Sequence, residues 1–330
     1  MRTVIEAKNL TKKFGEFTAV DSINLEIGEG EIFGFLGPNG AGKSTTIKIL
    51  STLLQMSGGE AKVYGFDVKK NPNDVRKSIG IVFQDPAVDD QLTGEENLDF
   101  HARMYGMDSK KRKERIDYVL KLVDLQDKAK LLVKSYSGGM RRRLEIARGL
   151  MHFPKVLFLD EPTLGLDPQT RRSIWKYIEV LNKKEGITIL LTTHYMEEAD
   201  QLCNRIGIID KGKILVTDNP KTLKASVGED IITVGTGKAE PLAKLLEKNK
   251  IASGIKIHDS KIEIALKSGE TKIPLIVNIS ERGKIKIDSI NLRKPTLEDV
   301  FLHYTGKTIR EEEASSKDAM RMQAKMWGRR

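Results

Sequence analysis

The stretch Gly37-Pro38-Asn39-Gly40-Ala41-Gly42-Lys43-Ser44-Thr45 constrains this chain more than any other. It follows an apolar run, Ile32–Leu36, which reads as a buried strand. It runs into residues 45–54, whose apolar positions recur at helical spacing. A strand, a glycine-rich turn and a helix opening on Lys and Ser make a phosphate-binding P-loop. The glycines let consecutive backbone N–H groups turn inward around phosphate oxygens, and the helix N-terminus adds partial positive charge. Lys43 brings a point charge to the β- and γ-phosphates, and the Ser44 hydroxyl offers Mg2+ the hard oxygen it prefers. These residues predict a triphosphate site in an α/β domain.

A second apolar strand, Val156-Leu157-Phe158-Leu159, ends in Asp160 and Glu161. Asp160 is suited to completing a magnesium shell, and Glu161 to polarising an attacking water as general base. Residues 187–191 form another short apolar run. The alternation of such strands with helices predicts a mostly parallel sheet covered by helices. Residues 86–150 interrupt it, since their strand signals are few. Thr93 and Glu96 fit a capping box, Leu98, Ala102 and Tyr105 then share one face, and Ile116, Leu120 and Val123 mark a second stripe. The segment reads as a helical subdomain inserted into the sheet domain. Asp167 and Pro168 read as N-cap and first residue of a helix carrying Ile174, Ile178 and Leu181 and ending at Gly186. Segments 206–210 and 213–217 flank Lys211-Gly212 as a hairpin.

From Ile231 the composition shifts to short isoleucine-rich strands. Residues 231–234 read as a strand, and Leu242, Leu245 and Leu246 mark a helix. Ile255 and Ile257 alternate, Asp259-Ser260 turns, and Ile262, Ile264 and Leu266 alternate. Ile273, Ile276 and Ile279 mark a second helix, and Ile285 with Ile287 a last strand. The order β-α-β-β-α-β is a ferredoxin-like pattern. Thr296 with Asp299 caps a final helix through Leu297, Val300, Phe301 and Tyr304 to Gly306. Residues 307–330 are polar and are expected to be a flexible tail, although Met320, Ala324 and Trp327 fall on one helical face.

Composition narrows the setting. One cysteine, Cys203, excludes an internal disulfide or a cysteine-rich zinc site and suits a reducing compartment. No apolar run reaches the length of a membrane span, and residues 1–10 lack the apolar core of a signal peptide. Any membrane role therefore requires another chain to supply the spans. The formal net charge of +10 suits nucleic acid, anionic lipid or phosphate ligands, but it is spread rather than blocked, so a solvated lysine-rich surface is the preferred reading; no nucleic-acid partner is expected.

Tyr136-Ser137-Gly138-Gly139-Met140 precedes Arg141, Arg142 and Arg143 and an amphipathic helix through Leu144, Ala147 and Leu150. Small residues opening a helix make a second anion-binding terminus. One γ-phosphate does not need two such termini from one chain, so each chain is expected to lend this one to a partner copy.

Over about residues 4–223 these segments resemble the nucleotide-binding domain of ATP-binding cassette (ABC) transporters. Residues 137–140 resemble that family's signature loop, normally Leu-Ser-Gly-Gly-Gln. Tyr136 and Met140 depart from it, while the Ser-Gly-Gly core is intact. The resemblance implies that Ser137, Gly138 and Gly139 contact ATP across a homodimer. It implies that Gln84 is the Q-loop glutamine, touching magnesium and linking to the transmembrane partner. Leu164-Gly165-Leu166-Asp167 matches the D-loop that crosses the dimer, and His194 the switch histidine at the γ-phosphate. Phe14 stands where the family usually stacks a tyrosine on adenine; a phenylalanine keeps the π-face and loses the hydroxyl.

Residues 138–144, Thr192-Thr193-His194-Tyr195-Met196-Glu197-Glu198-Ala199-Asp200 and Pro295-Thr296-Leu297-Glu298-Asp299-Val300-Phe301 resemble a narrower group. It comprises the daunorubicin-resistance-type ATP-binding subunits, which serve ABC-2 type exporters, and the likeness extends to about Gly306. This implies an α/β fold of the P-loop NTPase (RecA-like) type with a helical subdomain over about 86–150. A small α+β, ferredoxin-like domain is expected over 229–306, after a nucleotide-binding domain over 1–228. The implied activity is ATP hydrolysis with Mg2+. It would be coupled through a separate ABC-2 type permease to export of an antibiotic, drug or lipid, at the cytoplasmic face of the membrane. An importer ATPase and a soluble ABC ATPase are the alternatives. The soluble class usually carries two cassettes or a long coiled coil, and this chain has one P-loop and no long heptad run.

Overall fold

The computed structural model describes residues 2–249, 251, 255–258 and 261–307. The turn expected at Asp259-Ser260 and all of the tail after Lys307 lie outside the described residues. The chain divides into two compact units between Pro220 and Lys221. That division falls ahead of the expected residue 228, because the helix over 220–227 groups with the second unit.

The first unit contains strands β1 (Thr3–Phe14), β2 (Phe17–Gly28), β3 (Ile32–Leu36), β4 (Gly58–Val63), β5 (Phe66–Asp67), β6 (Ile79–Val82), β7 (Val156–Asp160), β8 (Thr188–Thr193), β9 (Arg205–Asp210) and β10 (Lys213–Asp218). Its helices are α1 (Lys43–Leu50), α2 (Pro72–Ser78), α3 (Gly94–Met104), α4 (Ser109–Leu122), α5 (Gly138–Leu150), α6 (Pro168–Glu185) and α7 (Met196–Leu202). Six strands form one sheet in the order β10-β9-β3-β8-β7-β6. All of its pairings are parallel except the β9–β10 hairpin. β3 and β7 are buried at every position, as strands covered on both faces must be. The sequence reading missed a second, antiparallel sheet, β2-β1-β4-β5. Bulges interrupt the β1–β2 register and blur the period-two pattern that would have announced it. Ile5, Leu10 and Val63 of this sheet join Phe33, Phe35 and Phe158 of the other and Ile47 and Leu50 of α1 in one apolar core. Full burial of such a side chain stabilises by about 1.5–3 kcal/mol.

The insert is helical as expected. The Thr93–Glu96 capping box opens α3, and Leu98, Ala102, Ile116, Leu120 and Val123 are buried. Tyr105 instead caps the end of α3 and is 39% exposed. α1 ends at Leu50, short of the expected Leu54, in a turn at Ser51.

The second unit contains α8 (Pro220–Val227), β11 (Asp230–Gly235), α9 (Ala239–Lys248), β12 (Ile255–His258), β13 (Lys261–Leu266), α10 (Gly269–Arg282), β14 (Ser289–Arg293) and α11 (Leu297–Thr305). Its antiparallel sheet runs β12-β13-β11-β14, the ferredoxin-like order. The expected last strand at Ile285 and Ile287 is misplaced by a few residues. β14 begins at Ser289, opposite Gly235, where its partner β11 ends. Residues before Ser289 have no ladder to join. They are held by Thr236 Oγ1 donating to Lys286 O and Asp288 N–H donating to Gly235 O.

Candidate active site at the strand ends

Strand order assembles the site. In a parallel sheet the carboxyl ends line one edge, and loops leaving adjacent strands meet there. β3, β8, β7 and β6 are consecutive neighbours. Their ends lead into the P-loop, His194, Asp160 with Glu161, and Gln84.

The P-loop turns where Gly42 adopts φ +103°, and a Cβ there would lie 2.5 Å from Ala19 O. Only glycine satisfies both the backbone angle and the close approach. Residues 37, 38, 41, 42 and 43 are buried, whereas Asn39 and Gly40 are exposed at the tip; Ser44 and Thr45 are half-buried. Lys43 is 4% exposed and its Nζ donates to Gly37 O (2.7 Å) and Pro38 O (3.1 Å). The same Nζ lies 3.2 Å from Glu161 Oε1.

Ser44 Oγ donates to Asp160 Oδ1 at 2.9 Å, across 116 residues of chain. Thr192 Oγ1 donates to the same Oδ1 at 2.6 Å and accepts the Glu161 N–H at 3.0 Å. Glu161 sits at φ +48°, a conformation that costs a non-glycine residue of the order of 1 kcal/mol. His194 Nδ1 is 2.8 Å from Glu161 Oε2. A carboxylate only accepts, so this proton sits on Nδ1 and Nε2 is left for another partner. Burial raises the Glu161 carboxyl, but the His194 hydrogen bond and the Lys43 charge outweigh it and hold the group below its ordinary value.

The other expected residues stand further out. Gln84 is exposed and shares a cavity of about 240 Å3 with Glu161, Gly138 and Leu164–Leu166. Ser137 accepts Met140 N–H as N-cap of α5, and Asp167 accepts Gln169 N–H, Thr170 N–H and Thr170 Oγ1–H as N-cap of α6. Gly139 lets these two helix starts touch, since a Cβ there would meet Thr170 Cγ2 at 2.4 Å. Tyr136 is buried and donates to Lys128 O at 2.7 Å, which fixes the entry to α5. Phe14 ends β1, 49% exposed, with Lys12 Nζ 4.9 Å above its ring.

Several participants were invisible in the sequence. Thr192 was read only as a flank of His194. Glu198 is fully buried; its Oε1 accepts from Thr163 Oγ1 and Trp175 Nε1, both at 2.8 Å. Burial raises its carboxyl above the ordinary value despite those bonds. Arg142 was read only as one of three arginines ahead of an amphipathic helix, and Glu145 was not singled out, yet both are buried. The available signal was their spacing of three, which sets an arginine and a glutamate side by side on α5 as an ion pair.

Comparison with known proteins places the chain in a family. Residues 20–164 match the ABC transporter family, and residues 219–305 match the C-terminal domain of DrrA1-3-like ATP-binding proteins. The daunorubicin resistance ATP-binding protein DrrA2 of Streptomyces coeruleorubidus is 39% identical over 314 residues, covering 94% of this chain and 97% of that protein. The linearmycin resistance ATP-binding protein LnrL of Bacillus subtilis (strain 168) is 38% identical, covering 93% of this chain and 100% of that protein. The solved dimer of the ATP-binding cassette MJ0796, in a post-hydrolysis state bound to ADP and Pi, has a TM-score of 0.59 and 30% identity. It covers 65% of this chain and 98% of its own. The P-loop, the paired carboxylates at the end of β7 and near-full-length similarity to these relatives lead to one assignment: the chain belongs to the ABC transporter family, as an ATP-binding and ATP-hydrolysing subunit of the daunorubicin-resistance-type group.

Proposed function

We propose that two copies of this subunit close head to tail around two ATP molecules and drive export of an antibiotic, drug or lipid through a separate ABC-2 type permease. One observation carries the reading: Lys43, Ser44, Asp160, Glu161 and His194 form one bonded set at neighbouring strand ends. Lys43 neutralises the β- and γ-phosphates within the P-loop amides. Glu161 orients the attacking water, and His194 holds that carboxylate and meets the γ-phosphate. Phosphoryl transfer needs this positioning and charge neutralisation more than covalent chemistry.

The donor set fits Mg2+. Ser44 Oγ and Asp160 Oδ1 are hard oxygens already 2.9 Å apart, and Gln84 adds an amide oxygen from the adjoining loop. Among the described residues no group of three or more His, Cys, Asp or Glu side chains could hold a metal alone. Shared ligation with phosphate oxygens is therefore the natural arrangement. When bound, the ion supplies charge neutralisation at the β- and γ-phosphates.

The head-to-tail pairing is supported by the exposed Ser137 and Gly138 at the start of α5, and by the dimeric state of the MJ0796 cassette. Gly139 completes that terminus, Asp167 reaches the pairing face through the D-loop, and Phe14 offers its ring to adenine. Export of an organic compound is supported by relatives named for resistance to daunorubicin and linearmycin. No helix among the described residues is long and apolar enough to cross a membrane. The permease then supplies the spans, and this chain works at the cytoplasmic face. Phe100 (61% exposed), Met104 and Tyr105 make an apolar patch on α3 suited to the permease contact.

The test is Glu161→Gln. It is expected to keep MgATP binding, lower turnover at least about 100-fold and accumulate an ATP-dependent dimer by light scattering. Normal turnover would remove Glu161 from its role; a persistent monomer would defeat the pairing.

A further inference from the structure

In the first unit, the Arg142 side chain donates five hydrogen bonds. Its Nε donates to Pro162 O at 2.7 Å. Its Nη1 donates to Phe83 O (2.5 Å) and to Glu145 Oε2 (2.8 Å). Its Nη2 donates to Asp160 O (3.0 Å) and Glu161 O (3.2 Å). A guanidinium has five N–H donors, and each has an acceptor here. Both oxygens of Glu145 are also engaged, because its Oε1 accepts the Ala87 N–H at 2.7 Å. Side-chain exposure is 8% for Arg142 and 4% for Glu145.

A buried ion pair is a costly way to stabilise a fold, and apolar residues of similar volume often serve as well. What distinguishes this one is the list of acceptors. Asp160, Glu161 and Pro162 form the turn that carries the general base in its left-handed backbone conformation. Phe83 and Ala87 bracket Gln84. The donor belongs to α5, whose N-cap is Ser137. One side chain thus ties together three segments that address different parts of a bound nucleotide.

We infer that Arg142, held by Glu145, is a positioning residue. It fixes the Glu161 turn and the Gln84 loop to the signature helix, so that a shift at Ser137 is felt at Glu161. The inference rests on the head-to-tail reading in one respect. There, Ser137 serves one ATP and Glu161 of the same chain serves the other, so Arg142 couples the two ATP sites. Lysine cannot replace it, because an ammonium has three donors and no planar fork.

The experiment compares Arg142→Lys and Glu145→Gln with the parent chain. Readouts are MgATP Kd by equilibrium binding, kcat, and the Hill coefficient of hydrolysis. For Arg142→Lys, kcat is expected to fall about 10-fold or more while Kd stays within about twofold. The Hill coefficient is expected to fall towards one. Glu145→Gln keeps an acceptor for Ala87 N–H but loses the ion pair, and is expected to show the same split at smaller amplitude. Unchanged kcat, or kcat and Kd worsening by the same factor, would overturn the assignment. So would unfolding of both variants, which would mark the pair as purely structural. If the parent chain neither dimerises with ATP nor hydrolyses it cooperatively, the head-to-tail reading fails. The split between kcat and Kd still judges Arg142.

Discussion

Lys43, Arg142, Glu145, Asp160, Glu161 and Glu198 are all buried in the first unit, whereas the buried polar side chains of the second, among the described residues, are Thr236 and Ser280. Those two donate to nearby backbone carbonyls, of Lys286 and Val277. The second unit is held by Ile232, Val234, Leu242, Leu246, Ile262, Ile264 and Ile276, packed from strands and helices onto one another. Apart from the displaced last strand, its elements follow hydrophobic periodicity. The first unit departs from it at the ends of β3 and β7 and on helices α5 and α7. Burying a charge costs several kcal/mol unless each of its atoms finds a partner. A fold retains such groups where chemistry needs them. The contrast therefore separates a unit built to react from a unit built to pack.

The largest effect that could break this contrast is loss of Lys43. Lys43→Ala is expected to abolish MgATP turnover and weaken nucleotide binding at least about 100-fold, read by ATPase assay and equilibrium binding. Unchanged affinity would deny the P-loop its role. Next comes Leu246→Ala in the second unit, where the side chain is fully buried. It should lower unfolding stability by about 2–4 kcal/mol in urea while the folded protein still hydrolyses ATP. A collapse of turnover in folded material would give the second unit a catalytic part.

Thr192→Val sharpens the comparison inside the active site. It deletes the hydroxyl that donates to Asp160 and accepts from Glu161 N–H, leaving a buried donor without its partner. The expected cost is about 1–3 kcal/mol, with a matching fall in kcat. The smallest effect concerns pH. Burial lowers the His101 imidazole to about 4, from an ordinary 6.5. The folded state then binds fewer protons than the unfolded one between those values. Stability from this group is complete above pH 6.5 and is lost as pH falls towards 4. After a discount for partial exposure, His101→Phe should flatten the stability profile across that window by about 1–2 kcal/mol. An unchanged profile in urea titrations would remove His101 as its source.

The residues of the candidate site were legible in the sequence where their placement is local. A glycine turn between strand and helix, and two carboxylates closing an apolar strand, are placed by backbone geometry that neighbouring residues set. Most of the fold was legible for the same reason, through the caps at Thr93, Asp167 and Thr296 and the hairpin at Lys211-Gly212. The antiparallel sheet was not, because bulges in β1 and β2 hide their period. Ile285 and Ile287 misled because apolar alternation reports burial, whereas a strand also needs a partner edge.

By itself, then, the sequence determined that a glycine-rich loop would join β3 to α1 with Lys43 and Ser44 at its end, that Asp160 and Glu161 would close β7, and that the second unit would close on isoleucine and leucine faces. Tertiary structure alone decided who holds those groups in place. Ser44 and Asp160 are 116 residues apart, and Arg142 reaches Phe83 across 59. Hydrogen bonds act over about 3 Å of space regardless of separation along the chain. Only the order of strands in the sheet, with α5 packed beside them, could bring Thr192, Arg142 and Glu145 to the atoms they bond.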